Sequence, residues 1–269
     1  MATLPDPSAT GAALITGASS GIGEHIAREF VRRGHRVVLV ARRADRLAEL
    51  AGTFGDRARV LPADLSNPSE RAALPDRVAE MGLTVEVLVN NAGVANLGSV
   101  ARVDVDAELR LIEVDVAAVV DLCTRFLPAM VARGRGAVLN VASVGAFGPV
   151  PWQASYGAAK AFVLSYTEAM REELRGTGVT AAVVCPGPVR TGFGAAAGIP
   201  DEDAEKLLPS FLWEQPETVA RTAVDGLDRG RRVIVPGMPN RVAATLNRLA
   251  PRWILLPMLG RSHPGRTQR

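Results

Sequence analysis

Cysteine is scarce: Cys123 and Cys185 are the only two in 269 residues, and they form neither a metal-ligand spacing nor a disulfide framework. Aromatic residues make up only 4%, so a core must be built mainly from Ala, Val, Leu and Ile, which a hydrophobic content of 48% readily supplies. No segment holds about 18 uninterrupted apolar residues, so no membrane-spanning helix is expected. Met1 to Gly11 lacks the basic run and apolar stretch of a secretory signal, and a cytoplasmic location is expected. Internal repeats and low-complexity segments are missing too, which argues against a solenoid. Lysine is nearly absent: of 31 basic residues, only Lys160 and Lys206 are not arginine. Arginine is bulkier and effectively always charged, whereas lysine is a compact cation with a tunable pKa. A lysine kept at 160 marks a place where a guanidinium would not serve.

Acidic residues are missing from one region in particular. Residues 236–269 hold six arginines and no acid, which exceeds the net charge of +3, so the remainder is net acidic. Such a basic tail reads first as a solvated extension, with weak contact to acidic lipid or nucleic acid left open; a nucleic-acid partner is not expected. Within it, Asn247–Leu259 carries Leu249, Trp253, Ile254, Leu255, Leu256, Met258 and Leu259, interrupted by Pro251 and Pro257. Two prolines break any long amphipathic helix, so packing against protein is the expected fate of these side chains.

What is present is an alternation of short apolar runs and helical stretches. Strands are expected at Ala12–Thr16, Arg36–Val40, Ala58–Leu61, Val85–Val89, Ala137–Val141, Val179–Val184 and Val233–Val235. Helices are expected at Gly21–Arg33, Asp45–Phe54, Ser69–Met81, Val105–Ala132, Tyr156–Arg175 and Glu217–Leu227. The strands are continuous Val/Leu/Ala runs, the mark of strands covered on both faces. Repeated βα units imply an α/β fold, a doubly wound parallel sheet with helices on both faces. One domain is expected over 1–269, with a core of about 11–235, a lid at about 192–214 and the basic extension at 236–269.

The first strand runs into Thr16-Gly17-Ala18-Ser19-Ser20-Gly21-Ile22-Gly23. A glycine turn opening a helix lets backbone approach a pyrophosphate, while the helix N-terminus offers free N–H groups. Gly17, Ser19, Ser20, Gly21, Ile22 and Gly23 are therefore candidate cofactor contacts. The second strand ends Val40-Ala41-Arg42-Arg43. An acid there would bind the 2′-hydroxyl of NAD; with no acid and two arginines, the 2′-phosphate of NADP is the expected ligand. Asp64, followed by Leu65, either accepts from the adenine amino group or serves as a turn or cap residue. Asn90-Asn91-Ala92-Gly93 closes the fourth strand with small residues and amides suited to a crevice ligand. Ser143 ends the fifth strand, and Tyr156 and Lys160 follow at i, i+4 on one helix face. A phenol with a pKa near 10 is poorly matched to neutral proton transfer, and an ammonium one turn away favours the phenolate. Tyr166 lies roughly 280° around the helix from Tyr156 and reads as packing. No metal site is expected.

Taken together, Thr16–Gly23, Asn90–Gly93, Ser143, Tyr156/Lys160 and Pro186-Gly187-Pro188-Val189-Arg190-Thr191 resemble the short-chain dehydrogenases/reductases in order and spacing. The likeness covers about residues 11–235. It implies a Rossmann-like, seven-stranded parallel sheet and hydride transfer between nicotinamide C4 and a carbonyl or carbinol carbon, in a homodimer or homotetramer. It further implies that Tyr156 is the general acid/base, that Ser143 holds the substrate oxygen, and that Lys160 also binds the nicotinamide ribose. Pro186, Gly187 and Val189 would border the nicotinamide, with Thr191 near its carboxamide or the pyrophosphate. Likeness to NADP-preferring members adds to the Arg42 reading. One position departs: Asp115 stands where the family usually carries the Asn of a catalytic tetrad.

Val94, Ala95, Phe147, Val150, Pro151 and Trp152 flank the strand ends, and Phe193, Phe211, Leu212 and Trp213 sit on the expected lid. Such lining favours an apolar ketone or alcohol. Two other readings stay open: an NADP(H)-binding sensor with little turnover, and an acyl-thioester ketoreductase.

Overall fold

The computed structural model describes residues 3–192 and 210–262. Most of the expected lid therefore lies outside the described residues, Phe193 included. Seven parallel strands form one sheet in the order β3-β2-β1-β4-β5-β6-β7. They are β1 (Gly11–Thr16), β2 (Arg36–Ala41), β3 (Ala58–Pro62), β4 (Thr84–Asn90), β5 (Gly136–Val141), β6 (Val179–Val184) and β7 (Val233–Ile234). Every residue of β1, β5 and β6 is buried, as continuous apolar runs require when helices cover both faces.

On one face, α1 (Gly21–Arg32), α2 (Ala44–Phe54) and α7 (Pro216–Asp228) cover a core that includes Ile26, Phe30, Leu47 and Leu227. On the other, α3 (Pro68–Glu80), α5 (Ala118–Ala132) and α6 (Ala154–Glu173) cover Leu74, Leu122, Met130 and Val163. From β1 the chain winds outward to β2 and β3, then returns to β4 and winds the other way. The strand order thus reverses between β1 and β4, where a doubly wound sheet opens a crevice at its carboxyl ends.

Two elements carry detail beyond the expected pattern. The helical stretch expected at Val105–Ala132 is unbroken over those bounds, but α4 (Val105–Ile112) passes through a π-helical turn at Glu113–Ala117 before α5 begins. One extra residue per turn re-aims the side chains at that point, a device common at functional sites. The basic extension is helical. It forms α8 (Met238–Leu249), a break at Ala250 and Pro251, and α9 (Arg252–Ser262).

Candidate active site

The crevice floor is stapled by side chains. Thr16 Oγ1, at the end of β1, accepts from the backbone N–H of Asn91 at 2.9 Å and of Ala92 at 3.0 Å, and donates to Val89 O at 3.3 Å. The Asn91 amide donates to Thr16 O at 2.9 Å and to Gly17 O at 3.3 Å. Asn91 thus holds the glycine loop in shape. Gly17 sits at φ +64°, and a Cβ there would lie 2.8 Å from Asn91 Nδ2. At Gly23 a Cβ would run into Asn91 Nδ2 and the Gly17 carbonyl, so α1 packs against the turn only because that side chain is absent. Ser20 caps α1 without a side-chain hydrogen bond, which leaves first-turn N–H groups for a ligand. Ile22 anchors this turn in the core. Across the loop, Thr191 packs on Gly21, where a Cβ would meet Thr191 Cβ at 3.0 Å.

Of the two arginines after β2, Arg43 is the one already engaged: its Nη2 donates to the hydroxyls of Ser19 and Ser20, both at 2.9 Å. Arg42 is exposed, with its charge felt at Asp64. Burial pushes the Asp64 carboxyl up, but hydrogen bonds from Ser66 and the charges of Arg42 and Arg110 hold it below its ordinary value. Asp64 Oδ1 accepts from Ser66 N at 2.9 Å and Ser66 Oγ at 2.7 Å, so the carboxylate shapes the turn into α3. Leu65 is buried, and its carbonyl accepts from the buried Arg71 at 2.6 Å.

The reacting end is built by α6, β5 and the π turn. Tyr156 hydrogen-bonds with Ser143, whose Oγ also accepts from Gly145 N at 3.1 Å. Lys160 Nζ lies 5.6 Å from the centre of the Tyr156 ring and donates to Val141 O at 3.3 Å. Asp115 faces inward: Oδ2 stands 2.9 Å from Lys160 Nζ, and Oδ1 accepts from Val94 N at 2.8 Å. Lys160 and Asp115 are 4% and 1% exposed, so they form a fully buried pair. Gly93 borders it; a Cβ there would be 3.1 Å from both Lys160 Nζ and Asp115 Oδ2.

The charges set the proton affinities. Burial raises the Tyr156 phenol; the Lys160 charge and the Ser143 hydrogen bond pull it down, and the Asp115 charge pushes it up again, leaving it above its ordinary value. Burial works against the Lys160 cation, but Asp115 and Tyr156 favour it, leaving its pKa above the ordinary value. Asp115 itself is raised by burial against the pull of Lys160 and the Val94 N–H. The arrangement holds the Tyr156 hydroxyl beside the Lys160 ammonium, with the Asp115 carboxyl 2.9 Å from that ammonium.

The segment after β6 closes the far side. Val144 N donates to Pro186 O at 2.9 Å, tying the Ser143 turn to Pro186. Gly187 leaves room for Asn240, a buried side chain of α8 that donates to Leu212 O at 3.1 Å. Val189 pairs in parallel with Glu214. Sequence reasoning missed Thr16, Asn240 and Glu214 as supports; only the position of Thr16 ahead of Gly17 was a signal. Tyr166, read as packing, stacks on Phe162 at 5.6 Å. Of the expected apolar lining, Phe147, Val150 and Pro151 border a cavity of about 480 Å³ that also touches Leu256 of α9. Neither Ser143, Tyr156 nor Lys160 lines it. Trp152 is instead held at φ +68°, with its indole donating to Gly260 O at 3.1 Å.

The model of the short chain dehydrogenase family matches residues 11–200. The chain belongs to this family. It is an oxidoreductase of the short-chain dehydrogenase/reductase type, with the sheet those enzymes have. A structure of a short-chain dehydrogenase from Sphingobium yanoikuyae in complex with NADPH is similar, at TM-score 0.78 and 34% identity, covering 92% of each chain. The NADP-dependent 3-hydroxy acid dehydrogenase YdfG of Escherichia coli is 34% identical over 213 residues, 77% of this chain and 85% of that one. The ketoacyl reductase HetN of Nostoc is 36% identical over 179 residues, 65% of this chain. This chain spans only 62% of HetN, somewhat under two-thirds.

Proposed function

We propose that this short-chain dehydrogenase interconverts a carbonyl group and a secondary alcohol on an apolar small molecule, with NADP(H) as cofactor and Tyr156 as general acid/base. The observation that carries the reading is the Tyr156 hydroxyl, hydrogen-bonded with Ser143 beside the buried Lys160 cation. NADP(H) fits the crevice: Gly17, Gly21 and Gly23 add no Cβ to the turn, the N-cap Ser20 makes no side-chain hydrogen bond to the first turn of α1, and Arg42 is exposed for a 2′-phosphate. The NADPH complex of the Sphingobium relative and the NADP dependence of the E. coli relative support the same choice.

When bound, the cofactor supplies or accepts the hydride. Gly17, Ser19, Ser20, Gly21, Ile22 and Gly23 would hold its pyrophosphate, and Arg42 and Arg43 its adenosine phosphate. Asp64 and Leu65 would line the adenine side of the crevice, and Asn91, Ala92 and Gly93 the stretch that leads from the glycine loop to Lys160. Lys160 would hold the nicotinamide ribose hydroxyls, with Pro186, Gly187, Val189 and Thr191 around the ring. Ser143 Oγ orients the substrate oxygen. Tyr156 gives its proton to that oxygen during reduction and takes it back during oxidation. The Lys160 charge favours the phenolate that remains, and Asp115 moderates that charge. The chain is expected to act in the cytoplasm; the exposed Leu109, Ile112 and Phe162 on α4 and α6 are consistent with the expected homodimer or homotetramer.

A 3-ketoacyl thioester is the second substrate reading, favoured by the Nostoc relative. A screen of apolar ketones and a 3-ketoacyl thioester, following NADPH consumption, tests both. Turnover is expected with apolar ketones. Turnover confined to the thioester would transfer the assignment, and NADPH binding without turnover would favour a sensor.

A further inference from the structure

Helix α8 is amphipathic the wrong way round. Its buried residues are Asn240 and Ala244, while Met238, Val242, Leu246 and Leu249 are 69%, 56%, 62% and 74% exposed. At 100° per residue these four fall within an arc of roughly 80°, opposite the buried pair. Beyond the break at Pro251, α9 adds Trp253, at 77% the most exposed large apolar side chain among the described residues. Scattered exposed leucines need no explanation, but a continuous outward row marks a surface with a partner.

The charge beside the row identifies the partner. Arg241 and Arg248 flank it on α8, Arg252 opens α9, and all three are exposed. From Arg229 to Arg269 the sequence holds no Asp or Glu. An apolar strip with a tryptophan and arginines at its margin matches a bilayer interface with anionic headgroups. A second copy fits poorly. An isologous contact would set each copy's arginine margin against the other's, with no carboxylate on α8 or α9 themselves and only Glu214, beside Arg241, to offset it.

We propose that the outward face of α8 and α9 docks this enzyme on an anionic bilayer surface, without spanning it. No helix among the described residues is long and apolar enough to cross a membrane. The docking face is joined to the site's rim, because the Trp152 indole on the segment after Ser143 is hydrogen-bonded to Gly260 of α9.

Co-sedimentation of the full chain with phosphatidylcholine vesicles, with and without phosphatidylglycerol, tests this. The protein is expected to pellet with the anionic vesicles, less so in high salt. The double variant Leu246→Ser/Leu249→Ser should bind at least roughly tenfold more weakly, since each leucine contributes through its buried area. Unchanged melting and NADPH binding will show that this variant folds. Should it not fold, Arg241→Ser/Arg248→Ser is the second probe and is expected to weaken binding at low salt. The same proteins are run by gel filtration with light scattering. No sedimentation with either vesicle overturns the proposal. So does a wild-type assembly that the serine variant dissociates, which would assign the face to a second copy.

Discussion

Lys160 and Arg42 are both cations assigned to one cofactor, yet their surroundings are opposite. Lys160 is buried against Asp115 at 2.9 Å, with Val141 O and the Tyr156 ring as further neighbours. Arg42 stands exposed at the end of β2, where Asp64 feels its charge across the turn. A cation in water has a fixed charge and a weak field, so the ligand decides what it is worth. A buried cation is defined by its protein neighbours, and its field reaches other buried groups with little loss. At this site arginine serves at the rim, and the compact ammonium is kept where it must share a small space with a phenol.

The largest effect that would sharpen the comparison is at the buried end. Lys160→Met strands the Asp115 carboxyl in a buried site without its partner. Unfolding free energy in urea should fall by about 3–5 kcal/mol, the usual consequence of removing one partner of a buried pair. Adding Asp115→Leu to this variant should recover most of that loss. Equal stability for wild type and Lys160→Met would mean that the pair is not closed in solution.

At the exposed end the loss should appear in binding, not folding. Arg42→Ala is expected to weaken NADPH binding by about 1.5–3 kcal/mol, typical of a hydrogen bond to a charged group, and to leave NADH binding nearly unchanged. Arg43 is held to Ser19 and Ser20, so Arg43→Ala should loosen the glycine loop and weaken both cofactors alike, by about 1 kcal/mol. Titration of each variant with both cofactors separates the two roles. If Arg43, and not Arg42, discriminates NADPH from NADH, the assignment is reversed.

A smaller effect concerns pH. Asp115 raises the Tyr156 phenol, and oxidation of an alcohol needs the phenolate as base. Replacing Asp115 with Asn removes that push, so the Tyr156 pKa falls and the rising limb of the oxidation profile moves to lower pH. The variant should remain active. Superimposable pH–rate curves would show that the carboxylate, though it faces Lys160, is electrostatically silent.

Much of this was legible in the sequence, for identifiable reasons. The strands are long enough, and apolar enough on both faces, that β6 (Val179–Val184) matches its expected bounds and the others differ by a single residue at one end or, for β4, at each end. The glycine loop and the Ser143/Tyr156/Lys160 group are local patterns on those strand ends. The π turn at Glu113–Ala117 was not legible, because it depends on how α4 and α5 pack and leaves no turn residue behind. The sequence showed that Asp115 departs from the family, but not that it turns inward to Lys160. Likewise the apolar tail was expected to pack on protein because Pro251 and Pro257 interrupt it. Pro251 divides the segment into two helices, and α8 keeps its large side chains outward. Which of two adjacent arginines is already engaged also lay beyond reading, since Arg43 finds its partners on a loop 23 and 24 residues away.

In the proposed reaction Tyr156 moves the proton and NADPH supplies the hydride. Tyr156→Phe removes one oxygen from a site that keeps Lys160, Asp115 and the glycine loop. With a ketone found to turn over, the variant should bind NADPH as wild type does while its kcat falls by about 10²–10⁴, the scale of general acid catalysis. Activity within a few-fold of wild type, with NADPH binding intact, would contradict the account.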